Sequence, residues 1–277
     1  MGMIHTFVNA LKIDHNLVTL TSVHNQPQRA LNQNMTRKNG TITVGKLLRE
    51  LQPHPSRSLL LGQCADGLPL LMELGESELG AILVSCEKNG GKTHQLQVMA
   101  DSAIQLNAPS QLQLGILTFN PSEWQNWHIE PHRKKYLQGI YAWYDPWAAG
   151  MIQTLVDLAE ARRENQRLGA DVLLMLDDLN FVEELSYEAQ VNLHWLLEYG
   201  SQSGIWLVGA INAHQAADFR YWVDSFRTRI VGQVKSEENH EILAMNPGSW
   251  KGELEPAMFR AWLGDDWQPY RLPLLGN

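Results

Sequence analysis

Short apolar runs alternate with longer stretches of helical period along most of this chain. The runs fall at residues 58–61, 81–85, 112–119, 172–176, 205–211 and 228–234. Several are apolar throughout rather than at every second position, the pattern of a parallel strand covered on both faces. Between them, Ile152, Leu155, Val156 and Ala159 recur at i, i+3, i+4 and i+7, and the charges Glu160, Arg162, Arg163 and Glu164 follow. That spacing predicts an amphipathic helix. Tyr187, Val191 and Trp195 predict a second helical stripe, closed by Gly200 and Gly204. Such alternation predicts an α/β domain whose central sheet is mainly parallel and covered by helices on both faces. No internal repeat is present.

The chain before the first run is different. Residues 25–39 are rich in Asn and Gln and read as a linker or arm, with a short docked helix expected over 3–12. Residues 43–51 (TVGKLLREL) predict a short amphipathic helix closed by Pro53 and Pro55. The expected organisation is an N-terminal extension over 1–57 carrying that helix, then a single domain over 58–277.

Composition narrows the class. With 277 residues, 44% hydrophobic and 19% charged, a mainly disordered chain is excluded. No apolar run approaches the roughly 20 residues of a membrane span. The N-terminus lacks the basic start and continuous apolar core of a signal peptide. Two cysteines, Cys64 and Cys86, cannot build a disulfide framework. A soluble cytoplasmic protein is expected, so the sequons at Asn34 and Asn39 carry no weight. The net charge of −8 argues against an indiscriminate basic surface for nucleic acid, while leaving room for a local basic stripe.

The most informative stretch is AILVSCEKNGGKTHQLQVMADSAIQL. A buried-strand pattern ends at Ser85, a Gly-containing loop follows, and Gly91-Lys92-Thr93 opens a helix marked by Leu96, Met99, Ala100 and Ala103. Strand, loop, Gly-Lys-Thr and helix is the setting of a phosphate-binding P-loop. In it, backbone N–H groups and the helix N-terminus face phosphate. The candidate nucleotide-binding residues are Glu87, Lys88, Asn89, Gly90, Gly91, Lys92, Thr93 and His94. Lys92 would bridge the β- and γ-phosphates of ATP, and the Thr93 hydroxyl would ligate Mg²⁺. Cys86 stands where the pattern G-x-x-x-x-G-K-S/T has its first glycine. Asn89 tolerates a left-handed turn, and Glu87 places a carboxylate near the anion site. The alternative is a fortuitous surface turn.

A second acidic strand end completes such a site. ADVLLMLDDLNFV ends its apolar run at Asp177-Asp178. Asp177 would anchor the metal, and Asp178 would polarise the attacking water. An ordinary helix cap is the plainer reading of the pair.

With both motifs in order, the chain resembles the FtsK/HerA division of P-loop motor ATPases from about Ser58 to Pro273. SLLLGQCADGLPLLMELG resembles that family's lead-in, GILTFNPSEW its "hhhhDPK..E" strand, and LVDLAEARREN its "hhxEMERRY" helix. SGIWLVGAINAHQ resembles "GIHLhLATQRP", FRTRIVGQVKSEENHEIL resembles "hPTRIAFxVSSxxDSRxIL", and NPGSW with FRAWLGDDWQPYRLP resembles the family's ending. The resemblance implies a RecA-like fold, ATP hydrolysis with Mg²⁺, and a homo-oligomeric ring such as a hexamer acting on DNA. It also implies roles. Asn212 takes the place of a γ-phosphate-sensing Gln, and Arg229, flanked by Arg227, matches an arginine that would act on a neighbouring subunit's site. The departures are Cys86, Asp178 in place of Glu, Asn212, and His240 where an Arg often stands. The alternative function is a nucleotide-binding switch or scaffold with little turnover in an assembly of other proteins.

Other constellations are bland. His128 and His132 are separated by Pro131, which opposes a shared helical face, and no Cys-x-x-Cys or G-x-S-x-G is present. Trp124, Trp127, Trp143 and Trp147 cluster with Tyr136, Tyr141, Tyr144, Arg133, Lys134 and Lys135. That segment reads either as a base-stacking surface or as an amphipathic surface or subunit contact.

Overall fold

The continuous apolar runs become the inner strands of one sheet. The computed structural model describes residues 42–49, 51, 57–75, 79–164, 169–244, 254–262 and 266–276. The expected helix over 3–12 and arm over 25–39 lie outside the described residues. In chain order the strands are β1 (Ser58–Gln63), β2 (Pro69–Glu73), β3 (Ile82–Cys86), β4 (Leu112–Thr118), β5 (Leu137–Ala142), β6 (Asp171–Asp177), β7 (Ile205–Asn212), β8 (Thr228–Val231), β9 (Met258–Trp262) and β10 (Trp267–Arg271). The helices are α1 (Val44–Arg49), α2 (Lys92–Leu106), α3 (Gln125–Ile129), α4 (Pro131–Lys134), α5 (Pro146–Glu164), α6 (Tyr187–Tyr199), α7 (Arg220–Val223) and α8 (Glu237–Leu243).

Among the described residues the sheet has the order β2-β1-β10-β9-β8-β3-β7-β6-β4-β5. Neighbours from β8 to β5 run parallel. From β2 to β8 they run antiparallel. All six expected strands are present, although β8 stops at Val231. Of the antiparallel wing, β1 is the expected run at 58–61, β2 is buried but lies outside the expected runs, and β9 and β10 are half-exposed. In β9 only Phe259 and Ala261 are buried while Met258, Arg260 and Trp262 are half-exposed, the alternation of a sheet covered mainly on one face.

Successive residues of the parallel strands feed two cores. Leu173, Met175, Trp206, Val208 and Ala210 pack with Leu96, Met99, Ala100 and Ala103 of α2. Val172, Leu174, Leu176, Ile205 and Leu207 pack with Ile152, Leu155 and Ala159 of α5 and with Leu193, Leu196 and Leu197 of α6. The sheet is therefore covered on both faces. The helix around Tyr187, Val191 and Trp195 exists, but its expected face is wrong: Tyr187 is 83% exposed and Val191 49%. The buried face carries Ala189, Leu193, Leu196 and Leu197. α1 packs Val44, Leu47 and Leu48 against Leu60, Leu71, Val98 and Leu106, and the Val44 N–H donates to Leu274 O at 2.9 Å.

Cys86 is fully buried, and its bulk at the end of β3 is tolerated because residue 232 has no side chain. A Cβ on Gly232 would lie 2.7 Å from Cys86 Cβ and 3.0 Å from a Phe259 ring carbon. Gly232→Ala is expected to lower unfolding free energy by about 1–3 kcal/mol through overpacking, read by urea denaturation. Adding Cys86→Gly recovers part of that loss; strictly additive losses would show that crowding against Cys86 is not its source.

Candidate active site

The loop between β3 and α2 folds as its residues allow. Asn89 sits at φ 63° and Gly91 at φ 100°; the latter is a left-handed conformation that glycine adopts without steric cost. The Gly90 N–H donates to Glu87 O at 2.9 Å, and the Gln95 N–H to Gly91 O at 2.8 Å opens the helix. First-turn N–H groups of a helix lack intrahelical acceptors, and the fifteen-residue α2 adds partial positive charge at this end. The Glu87 carboxylate is engaged elsewhere: Oε1 accepts the Lys235 N–H at 2.9 Å, and the Glu87 N–H donates to Gln233 O at 2.9 Å. Lys88, Asn89, Gly91, Lys92, Thr93 and His94 line a cleft of about 520 Å³, and Glu87 and Gly90 do not. One His94 edge is held by Pro273 O, 2.8 Å from Nε2.

Opposite the loop, the ends of β6 and β7 meet it directly. Lys92 Nζ donates to Asn212 Oδ1 at 2.7 Å. Thr93 Oγ1 donates to Asp177 Oδ1 at 3.0 Å. Asn212 Nδ2 donates to Gln215 Oε1 at 2.9 Å and, at 3.4 Å, to Asp178 Oδ2. Asp178 Oδ1 is buried and has no hydrogen-bond partner among the described residues. Its backbone is left-handed at φ 71°, strain of a kind that collects at functional sites. Burial pushes both carboxyls above the usual range. At Asp177 the Trp124 and Thr93 hydrogen bonds oppose the shift, and at Asp178 the Lys92 charge opposes it. Burial likewise pushes the Cys86 thiol up to about 11.

Among the described residues, no group of three or more His, Cys, Asp or Glu is placed to hold a metal. Thr93 and Asp177 offer two hard oxygens side by side, a set that fits Mg²⁺ sharing its other positions with phosphate and water.

Sequence reasoning missed several of the cleft's walls. Thr118, Phe119, Asn120, Glu123 and Phe181 line it, with Phe119 and Phe181 stacked at 4.1 Å. Only tertiary packing brings them there. Arg229 is not brought there. It is 4% exposed, its Nη2 donates to Val223 O at 2.6 Å, and burial lowers its guanidinium to about 10. In this arrangement it is not presented to a neighbouring subunit, whereas Arg227 is exposed. The aromatic and basic segment is divided between core and surface, with Lys134 and Lys135 exposed. Trp124, Trp127 and Trp143 are buried, and Arg133 pairs with Asp101 at 2.9 Å while stacking over Trp127. Tyr144 and Trp147 remain exposed.

The sheet order and the loop define the chain as having a RecA-like P-loop fold. No protein-family model matches it, and comparison with curated proteins gives no match. Solved structures do match. Thermomonospora curvata EccC (ATPases 2 and 3, in complex with a signal sequence peptide) shares 15% identity at a TM-score of 0.65, over 86% of this chain and 44% of that one. EssC (ATPases 2 and 3) of Geobacillus thermodenitrificans shares 14% at 0.65, over 85% and 45%. The pCW3 conjugation coupling protein TcpA, solved with ATPγS, shares 16% at 0.60, over 78% and 66%. This chain thus spans less than half the length of the EccC and EssC chains. These neighbours are ATPase domains and a conjugation coupling protein, and they bear out the fold that the sequence resemblance implied.

The raised Asp178 carboxyl has a consequence for stability. A carboxyl whose folded pKa lies above its unfolded value favours the fold at low pH, and that contribution is lost as pH rises through the folded pKa. In metal-free buffer, Asp178→Asn is therefore expected to raise the melting temperature near pH 7. The gain should shrink as pH falls toward about 4, the ordinary carboxylate range. A thermal-denaturation series across pH reads this; a variant less stable at pH 7 would contradict it.

Proposed function

We propose that this chain binds and hydrolyses ATP with Mg²⁺ as an FtsK/HerA-type motor domain, assembled in a ring and acting on DNA. The observation that carries the reading is the convergence at one cleft of Lys92 and Thr93 from the start of α2, Asp177 and Asp178 from the end of β6, and Asn212 from the end of β7. Lys92 would exchange Asn212 for phosphate oxygen, with the α2 N-terminus beneath the same phosphates. Thr93 and Asp177 would hold Mg²⁺, which when bound neutralises charge on the phosphate oxygens. Asp178 Oδ1 would accept a hydrogen bond from the attacking water, while Asn212 Nδ2 would donate to the other oxygen of that carboxylate.

The ring and the DNA partner rest on the sequence resemblance, and the conjugation coupling protein among the structural neighbours supports DNA. The buried Arg229 gives weight to a second reading, a nucleotide-held switch with little turnover. If a neighbouring subunit does supply an arginine from the start of β8, exposure favours Arg227, the residue just before that strand.

Lys92→Ala is expected to weaken Mg-ATP binding at least tenfold, about 1.4 kcal/mol or more, by calorimetry. Asp178→Asn keeps binding and loses turnover, and Arg227→Ala lowers turnover only in the assembled form. Phosphate release that rises on adding duplex DNA supports the motor. Tight binding with negligible turnover, with or without DNA, leaves the switch, and unchanged affinity in Lys92→Ala removes the nucleotide site altogether.

A further inference from the structure

The two oxygens of Asp177 are treated differently. Oδ1 takes the Thr93 hydroxyl at 3.0 Å. Oδ2 takes the indole N–H of Trp124 at 2.9 Å, with the Thr118 hydroxyl more distant at 3.4 Å. The indole of Trp143 donates to the Asp177 main-chain O at 3.3 Å. Trp124 is fully buried and ends the 3-10 turn Pro121–Trp124 just after β4. That turn is itself fixed: Asn120 Nδ2 donates to Glu123 Oε1 at 3.1 Å, and Gln97 Nε2 of α2 donates to Glu123 O at 2.9 Å.

A carboxylate with equivalent surroundings on both sides can flip or tilt. A rigid, buried donor on one side removes that freedom and leaves a defined oxygen facing the other way. Tryptophan suits this task because its N–H donates and cannot accept, so it holds the carboxylate and never competes for a cation.

We infer that Trp124 is a positioning residue for the metal-binding carboxylate: its indole pins Asp177 Oδ2 so that Oδ1 stays directed at Thr93. The inference rests on the reading of this cleft as a Mg-ATP site. It extends the site to a turn that lies outside the P-loop motif. Residues that orient a metal ligand from behind commonly change metal affinity by about tenfold or more when removed.

The test is calorimetric titration with ATP in Mg²⁺ and in EDTA, comparing the ratio of the two affinities. Trp124→Phe keeps an aromatic ring and deletes the donor; the ratio is expected to fall about tenfold while affinity in EDTA stays unchanged. In an Asp177→Asn background the same substitution is expected to leave the ratio alone, because its effect passes through that carboxylate. Thr118→Val, which removes the more distant donor to the same oxygen, is expected to lower the ratio less, and it serves as the reporter should Trp124→Phe fail to fold. An unchanged ratio in the folded single variants, equal weakening in both media, or a further fall in the Asp177→Asn background would overturn the proposal. If the unaltered protein binds ATP no better with Mg²⁺ than without, the nucleotide-site reading itself falls, a different failure from that of Trp124.

Discussion

The bond between Lys92 Nζ and Asn212 Oδ1, 2.7 Å long, depends on a register that the whole parallel sheet enforces. Cys86 pairs with Asn212 across β3 and β7, Leu176 with Gly209 across β6 and β7, and Thr118 with Asp177 across β4 and β6. The ends of β4, β6 and β7 thereby deliver Thr118, Asp177 and Asn212 to the same cleft, and β3 leads into the loop that brings Lys92 and Thr93 of α2 to it. A slip of one residue would exchange the two faces of a strand. Here that would drive Val208 and Ala210 out of the α2 core and Leu207 out of the α5–α6 core. Apolar packing on both faces thus holds the chemistry in place from below.

The site sets charge against burial. Lys92 and Asp177 are both buried, and a charge moved out of water is costly unless it is paired or hydrogen-bonded. The Lys92–Asn212 and Thr93–Asp177 contacts provide for each other without bringing Lys92 and Asp177 into an ion pair. Trp124 and Trp143 then close the far side of Asp177. Asp178 is provided for less well, with a strained backbone, an unpartnered oxygen and a raised pKa. Its position makes sense as a group kept ready for a water and a phosphate rather than for the folded state.

What the sequence could express was whatever depends on local pattern. Apolar runs buried on both faces read directly as strands, and Gly91-Lys92-Thr93 read as a loop opening a helix, because turn chemistry and periodicity are local. The half-exposed strands β9 and β10 carry Trp and Tyr amid polar residues and read only as a stretch resembling a family's ending. The face of α6 was misread because Tyr187 and Val191 are apolar residues pointing outward, which period alone cannot exclude. Arg229 matched a motif, but burial decides what a guanidinium can reach, and burial is tertiary. Trp124 stood in plain view in PSEW, yet nothing in its spacing points to a carboxylate on β6, 53 positions along the chain.

The central claim is that the Lys92–Asn212 and Thr93–Asp177 contacts hold the site of Mg-ATP. A crystal structure of the protein with Mg²⁺ and a non-hydrolysable ATP analogue tests it most directly. The account predicts Lys92 Nζ moved from Asn212 Oδ1 onto phosphate oxygen, with the cation beside Thr93 and Asp177 and Asp177 Oδ2 still held by Trp124. Nucleotide bound away from the β3–α2 loop, or an undisturbed Lys92–Asn212 bond with the analogue in place, would contradict it.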